Sequence, residues 1–199
     1  HDVTCVDVDP SKVDAINAGR APIHEAGLPE LLQRVVGRKL RATADLAGAV
    51  QASDVTFIAV GTPAADGKID LQFVKRAAEQ IGAAMRGKPG RHTVVVKSTV
   101  IPGTTDGPVR QALEAGSGLV AGRDFGLGMN PEFLTEGQAI EDFMRPDRIV
   151  LGGIDESTRD ALAVIYAPFA GAPVIRTNNK TAEMIKYASN AALATMISF

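Results

Sequence analysis

Tryptophan is missing from this chain of 199 residues, and cysteine occurs once, at Cys5. A single cysteine excludes an internal disulfide and is what a reducing cytoplasm leads one to expect. Histidine is scarce as well, and neither His24 nor His92 has a partner at ligand spacing, so no metal site is expected. No apolar run approaches the roughly 18 residues that a membrane span requires. Neither sign of charge dominates: 21 Lys+Arg against 23 Asp+Glu give a net charge of −2. That balance points away from nucleic acid or an anionic membrane as partner, and the basic run from Arg34 to Arg41 reads as a solvated helix end. No signal-peptide pattern opens the chain, since His1-Asp2 leads straight into a strand pattern. No initiator Met precedes it and the last helix pattern has no stop signal, so the chain is expected to be part of something longer.

What is present is enough for a core: 45% of the residues are hydrophobic. Val3 to Val8, Asp54 to Val60 and Thr93 to Lys97 are almost wholly apolar, as strands buried on both faces of a parallel sheet are. Leu40–Thr43, Asp124–Met129, Arg148–Leu151 and Val174–Arg176 are further strand candidates. Helix patterns fall between them, at 11–17, 29–36, 45–52, 71–85, 105–115 and 156–167. Ser11 and Asp45 suit N-caps, and Gly87 and Gly116 stand where helices should stop. Strand–helix alternation with short Gly/Pro connections predicts an α/β, doubly wound, mostly parallel sheet over residues 1–178. From 179 to 199 a long helix follows, whose small residues (Ala182, Ala188, Ala191, Ala192, Ala194) would admit a second helix.

Several residues suit a ligand site. Asp7 ends a strand that runs into a helix, where a dinucleotide fold places the acceptor for the adenosine ribose hydroxyls. Lys12 could reach a neighbouring phosphate or ribose, and an acidic residue here favours NAD over NADP. The other reading of Asp7-Val8-Asp9-Pro10 is an ordinary turn. The glycine-rich loop expected before such a strand is absent, and Gly116 to Gly122 and Gly126 to Gly128 read as turns. Two more strand ends, Val60-Gly61-Thr62-Pro63 and Lys97-Ser98-Thr99-Val100 running on to Thr105, combine hydroxyls with Gly/Pro punctuation. Each alone suits a turn or cap; together they suit a shared groove at the carboxyl edge of a sheet. In the final helix Lys186 and Asn190 are four apart and share a face. Lys186 either snorkels to water or points into a pocket to hold an anion. Cys5, inside a strand, reads as core. His24-Glu25 lies in a loop that either folds over a cofactor or stays at the surface.

The stretch NPEFLTEGQAIEDFMRPDRIVLGG, from Asn130 to Gly153, raises a question. It sets Glu132 and Glu136 four apart with no basic residue between them. If it turns helically, the two carboxylates repel by roughly 0.2–0.5 kcal/mol, and Phe133 and Leu134 suggest partial burial, which raises the cost. Repulsion and burial of this kind would raise one carboxylate's pKa toward working pH, as a general base requires.

Taken with VDVDPSKVDAINAGRAPIHEAGL, DVTFIAVGTP, KSTVIPGTT and AEMIKYASNAALATMISF, that stretch resembles the N-terminal half of the UDP-glucose/GDP-mannose dehydrogenases over all 199 residues. The resemblance implies a Rossmann-like domain, NAD as cofactor, and oxidation of a sugar nucleotide's C6 alcohol to a carboxylate with two NAD⁺ through a cysteine thioester. It implies that Asp7 and Lys12 meet the adenosine ribose, and that Val60–Pro63 and Ser98–Val100 make further cofactor contacts. Glu132 then matches a general acid/base acting through water, Thr99 a residue that positions that water, and Glu136 a residue between cofactor and substrate. Phe133, Leu134 and Thr135 fall in the substrate loop, and Lys186 and Asn190 match the pair that stabilises the oxyanion at C6.

The resemblance also implies a nucleophilic cysteine in a C-terminal domain outside these residues, a first strand and glycine loop ahead of His1, and a homodimer built on the last helix. Ile101 in KSTVIPGTT is a GDP-mannose-like feature, whereas DFMRPDRIVLGG leans toward UDP-glucose, which is favoured. Two rivals remain. A β-hydroxyacid dehydrogenase would not be expected to have the two glutamates of NPEFLTEG. A non-catalytic nucleotide-sensing domain would keep Asp7 and need neither Glu132 nor Lys186.

Overall fold

The computed structural model describes residues 1–65, 68–169 and 171–199. In chain order the elements are β1 (Val3–Val6), α1 (Pro10–Asn17), α2 (Leu28–Val35), β2 (Leu40–Thr43), α3 (Leu46–Gln51) and β3 (Val55–Ile58). A short antiparallel pair follows, β4 (Ala64–Ala65) and β5 (Lys68–Ile69), and then α4 (Gln72–Ala84), β6 (Thr93–Val96), α5 (Arg110–Ser117) and β7 (Gly126–Met129). The last elements are α6 (Ala139–Met144), β8 (Ile149–Gly153), α7 (Glu156–Tyr166), β9 (Val174–Thr177) and α8 (Asn179–Ser198).

Five strands pair in the order β3-β6-β7-β8-β9, all parallel except β7 against β8. Side chains alternate across this sheet, and both faces are covered. Val94 and Val96 of β6 pack with Val74, Ala78 and Ile81 of α4 and Leu113 of α5. Val95, between them, packs with Ile149, Leu151 and Leu162 of α7 on the opposite face. This is the α/β layering expected of the apolar strand runs. No helix among the described residues is long and apolar enough to cross a membrane.

Several local expectations need correction. Among the described residues, β1 pairs only with β2, in a separate two-stranded sheet. Val3 and Val6 are therefore partly exposed, Val8 is 92% exposed, and Cys5 is half-buried instead of core. The cap of α1 is Asp9, whose carboxylate accepts from the backbone N–H of Ser11. Gly116 does not stop α5; it lies inside it, and the left-handed terminator is Gly118. Gly116 and Gly82 instead let α4 and α5 touch, since a Cβ on Gly82 would stand 2.8 Å from the carbonyl of Leu113. Gly126 and Gly128 are not a turn but buried positions of β7, where a Cβ on Gly126 would meet the hydroxyls of Thr93 and Thr158 at 2.7 and 2.8 Å. Regular α5 starts five residues late, because Pro108 lacks an N–H and widens the turn Thr105–Val109.

Candidate active site

The loops after β3 and β6 are bonded to one another. Ser98 Oγ donates to Val60 O at 2.6 Å, and Thr62 Oγ1 donates to Thr99 O at 2.9 Å. Gly61 and Pro63 are exposed, and nothing lies within 4 Å of where a Gly61 Cβ would be, so the backbone is open to a ligand there. Ser98 is buried and Val100 is packed into the core, so Val100 can meet a ligand only through its backbone. Thr99, between them, is half-buried.

Asp7 follows β1. One of its oxygens accepts the Asp9 N–H at 2.9 Å and the other lies 3.7 Å from Lys12 Nζ, with both side chains partly exposed. An acceptor-only carboxylate held in this way, with lone pairs left open to solvent, suits two ribose hydroxyls.

The end of β7 carries a residue that sequence reading passed over. Asn130 is 1% exposed; its amide donates to Val150 O at 2.9 Å, and its Oδ1 accepts from Tyr166 Oη at 2.5 Å and Lys97 Nζ at 3.1 Å. Burial, aided by the charge of Lys186 and opposed by that of Glu132, brings the Lys97 ammonium down to about 8. Burial likewise pushes the Tyr166 phenol up to about 12. Lys97 was legible as a polar end to an apolar strand, but nothing local marked it as a half-buried cation.

Glu132 sits beyond Asn130, and its Oε1 lies 2.9 Å from Lys186 Nζ. Lys186 is 6% exposed, so it does not snorkel. Its ammonium is also 5.4 Å from the ring centroid of Phe133, while Arg148 covers that ring at 4.0 Å. The other carboxylate oxygen of Glu132 accepts the Leu134 N–H at 2.6 Å. Residues 131–135 are not helical, and Glu136 is exposed in the turn that follows. The two glutamates thus do not share a helix face, and the neighbour of Glu132 is a cation. This overturns the repulsion expected from their spacing. Thr135 N donates to Asp142 at 2.8 Å. Asn190, although four residues from Lys186, is exposed.

Glu25, beside exposed His24, is buried, and it accepts from Gly137 N at 3.0 Å and Ala139 N at 2.8 Å. It thereby supports the start of α6 and the loop that bears Glu132. Lys97, Asn130, Glu132, Phe133, Arg148 and Tyr166 line a cleft of about 180 Å³. A polar cleft lined by the carboxylates of Glu132, Asp142 and Asp147, with the half-buried ammonium of Lys97 in its wall and buried Lys186 on Glu132, is suited to moving a proton at a ligand held there.

Comparison with known proteins finds relatives of the chain in sequence and in fold. Residues 1–170 match the NAD binding domain of the UDP-glucose/GDP-mannose dehydrogenase family. A UDP-glucose 6-dehydrogenase of Haloferax volcanii is 46% identical over all of this chain and 47% of its own length. A GDP-mannose 6-dehydrogenase of Pseudomonas aeruginosa is 48% identical, over all of this chain and 46% of its own. Among solved structures, a ternary complex of the GDP-mannose dehydrogenase of that species superposes with a TM-score of 0.96 at 47% identity, over 100% of this chain and 46% of that one. A UDP-glucose dehydrogenase from Pyrobaculum islandicum gives 0.92 at 46%, over 98% of this chain and 44% of that one. The chain spans about half the length of the curated relatives it matches.

Proposed function

The chain belongs to the UDP-glucose/GDP-mannose dehydrogenase family, and from that premise we propose that it supplies the NAD site and part of the catalytic centre for a four-electron oxidation of a sugar nucleotide, UDP-glucose to UDP-glucuronate. The observation that carries this reading is the pairing of Lys186 with Glu132 at 2.9 Å, on a cleft that Lys97 at the end of β6 also lines. Neither a sensing domain nor a structural module needs a lysine buried against a carboxylate there.

Glu132 takes up the C6 hydroxyl proton by way of a water that Thr99 positions. Lys186 places its ammonium where the alkoxide oxygen develops, a stabilisation that exists mainly in the transition state, and Asn190 joins it from the same helix. Phe133, Leu134 and Thr135 line the sugar nucleotide's path, with Glu136 between it and the cofactor. Asp7 and Lys12 hold the adenosine ribose, and the loops Val60–Pro63 and Ser98–Val100 hold the remainder, Val100 by its backbone. NAD, when bound, supplies a hydride acceptor for C6. The thioester of the second oxidation calls for a cysteine in a C-terminal domain outside this chain, because Cys5 lies in β1 with its thiol pushed up by burial. A homodimer through α8 fits the exposure of Leu193, Met196, Ile197 and Phe199, and a cytoplasmic setting fits the single cysteine.

UDP-glucose is the favoured substrate; the 0.96 superposition on a GDP-mannose dehydrogenase supports GDP-mannose as the second reading. The test is NADH absorbance with each sugar nucleotide offered separately to the protein expressed as its full reading frame. Two NADH per UDP-glucose is the expected result. Turnover of GDP-mannose alone moves the specificity, and turnover of neither by a folded, NAD-bound protein removes the reading.

A further inference from the structure

The buried positions of α8 are Asn179, Ala182, Glu183 and Lys186, spaced so that they form one stripe along the helix. Three of the four are polar, and each has its own contact. Asn179 Nδ2 donates to Asp106 Oδ1 at 2.7 Å and Leu127 O at 3.2 Å. Ala182 occupies the space that a side chain at Gly152 would need, 2.8 Å from where its Cβ would be. Glu183 is fully buried and accepts the backbone N–H groups of Gly103 at 2.5 Å and Thr105 at 2.7 Å. Lys186 meets Glu132.

An apolar residue would pack a helix on a sheet as well as a carboxylate does, without the cost of burying charge. What a carboxylate adds is direction. Two acceptor bonds to fixed backbone donors admit one rotation and one height of α8, whereas an apolar stripe tolerates slippage. Gly103 and Thr105 close the loop that carries Thr99, and Lys186 lies one turn beyond Glu183 on the same face.

We propose that Glu183 is a positioning residue that sets α8 against the Gly103–Thr105 turn, so that Lys186 reaches Glu132 and the Thr99 loop keeps its place beside both. The inference rests on the reading that Lys186 and Glu132 form the catalytic couple. Burial pushes the Glu183 carboxyl up, with the bonds from Thr105 and Gly103 opposing it. The role requires the ionised form, because a protonated oxygen would face a backbone donor.

The test uses Glu183→Gln in the full reading frame, in wild-type and Lys186→Met backgrounds. The amide keeps the shape but turns an NH₂ toward one of the two donors. The expected result is a fall in kcat of about 10- to 100-fold, a KM for NAD changed by less than about threefold, and less than about threefold further loss when Lys186 is already Met. Independent, multiplying losses would overturn the proposal, as would an unchanged kcat. Circular dichroism reads folding alongside. If Glu183→Gln does not fold, Glu183→Asp, which keeps the charge and shortens the reach, gives the same comparison. A merely structural role would not move the chemical shift of the Glu132 carboxyl carbon, read at one fixed pH. In Glu183→Gln that signal is expected to shift as it does in Lys186→Met, and an unmoved signal overturns the role. This readout also decides the inference if the wild type oxidises neither sugar nucleotide, an outcome that would remove the proposed reaction alone.

Discussion

Lys186 reaches Glu132 from inside α8 across 2.9 Å, and the two partners are buried unequally, with side-chain exposures of 7% and 31%. Removing either one therefore has a different consequence. Glu132→Ala leaves an ammonium buried without a countercharge and is expected to cost about 3 kcal/mol, whereas Lys186→Met leaves a carboxylate that can turn to water and should cost about 1 kcal/mol or less. The double variant should be destabilised by less than the sum. Urea unfolding of the four proteins checks this, and equal single costs would contradict it.

Lys97 is expected to titrate near pH 8. Burial is the main cause, the charge of Lys186 adds to it and that of Glu132 opposes it. A lysine whose folded value lies below its unfolded one weakens the fold at lower pH, and the penalty is relieved as pH rises from about 8 toward 10.5. The ¹⁵Nζ signal of Lys97 reads the midpoint directly; a midpoint above about 10 would show the ammonium to be hydrated.

His92 is buried, with one ring nitrogen 2.8 Å from Thr56 Oγ1 and the other 3.0 Å from Ser53 O. Burial holds its pKa down at about 4. The unfolded chain binds the proton first as pH falls, so stability present above pH 6.5 is lost between 6.5 and about 4, by roughly 3 kcal/mol at most. Denaturation midpoints across that range should be flatter in His92→Gln than in wild type.

The contact between α4 and α5 depends on two glycines. A Cβ on Gly116 would stand 2.9 Å from Ala83 N and 3.0 Å from Glu79 O, all backbone atoms that cannot swing aside. Gly116→Ala should lower stability by roughly 1–3 kcal/mol through overpacking despite alanine's better helix propensity. A melting temperature at or above wild type would contradict the contact.

How much of this was legible in the sequence depended on distance along the chain. The apolar run at 93–97 announced its strand, and Val60–Pro63 and Ser98–Val100 announced strand ends that the structure joins through Ser98 and Thr62. α6 went unseen because its own cap residue, Gln138, makes no side-chain cap bond. The support comes from Glu25, 112 residues from Gly137. The spacing of Glu132 and Glu136 suggested repulsion because the cations that act on Glu132, Lys186 and Lys97, lie elsewhere in the chain. Gly126 and Gly128 looked like turns because the close approach that excludes a Cβ there involves Thr93, Gly152 and Thr158, remote in sequence.

The most direct test of the Lys186–Glu132 couple is a single-turnover stopped-flow measurement of NADH formation from UDP-glucose, comparing wild type with Lys186→Met at saturating substrate and NAD. Wild type is expected to show an isotope effect with C6-deuterated sugar. Lys186→Met is expected to be slower by about 10²–10³-fold with NAD affinity unchanged. A variant within about threefold of wild type would contradict the assignment of Lys186 to the developing oxyanion.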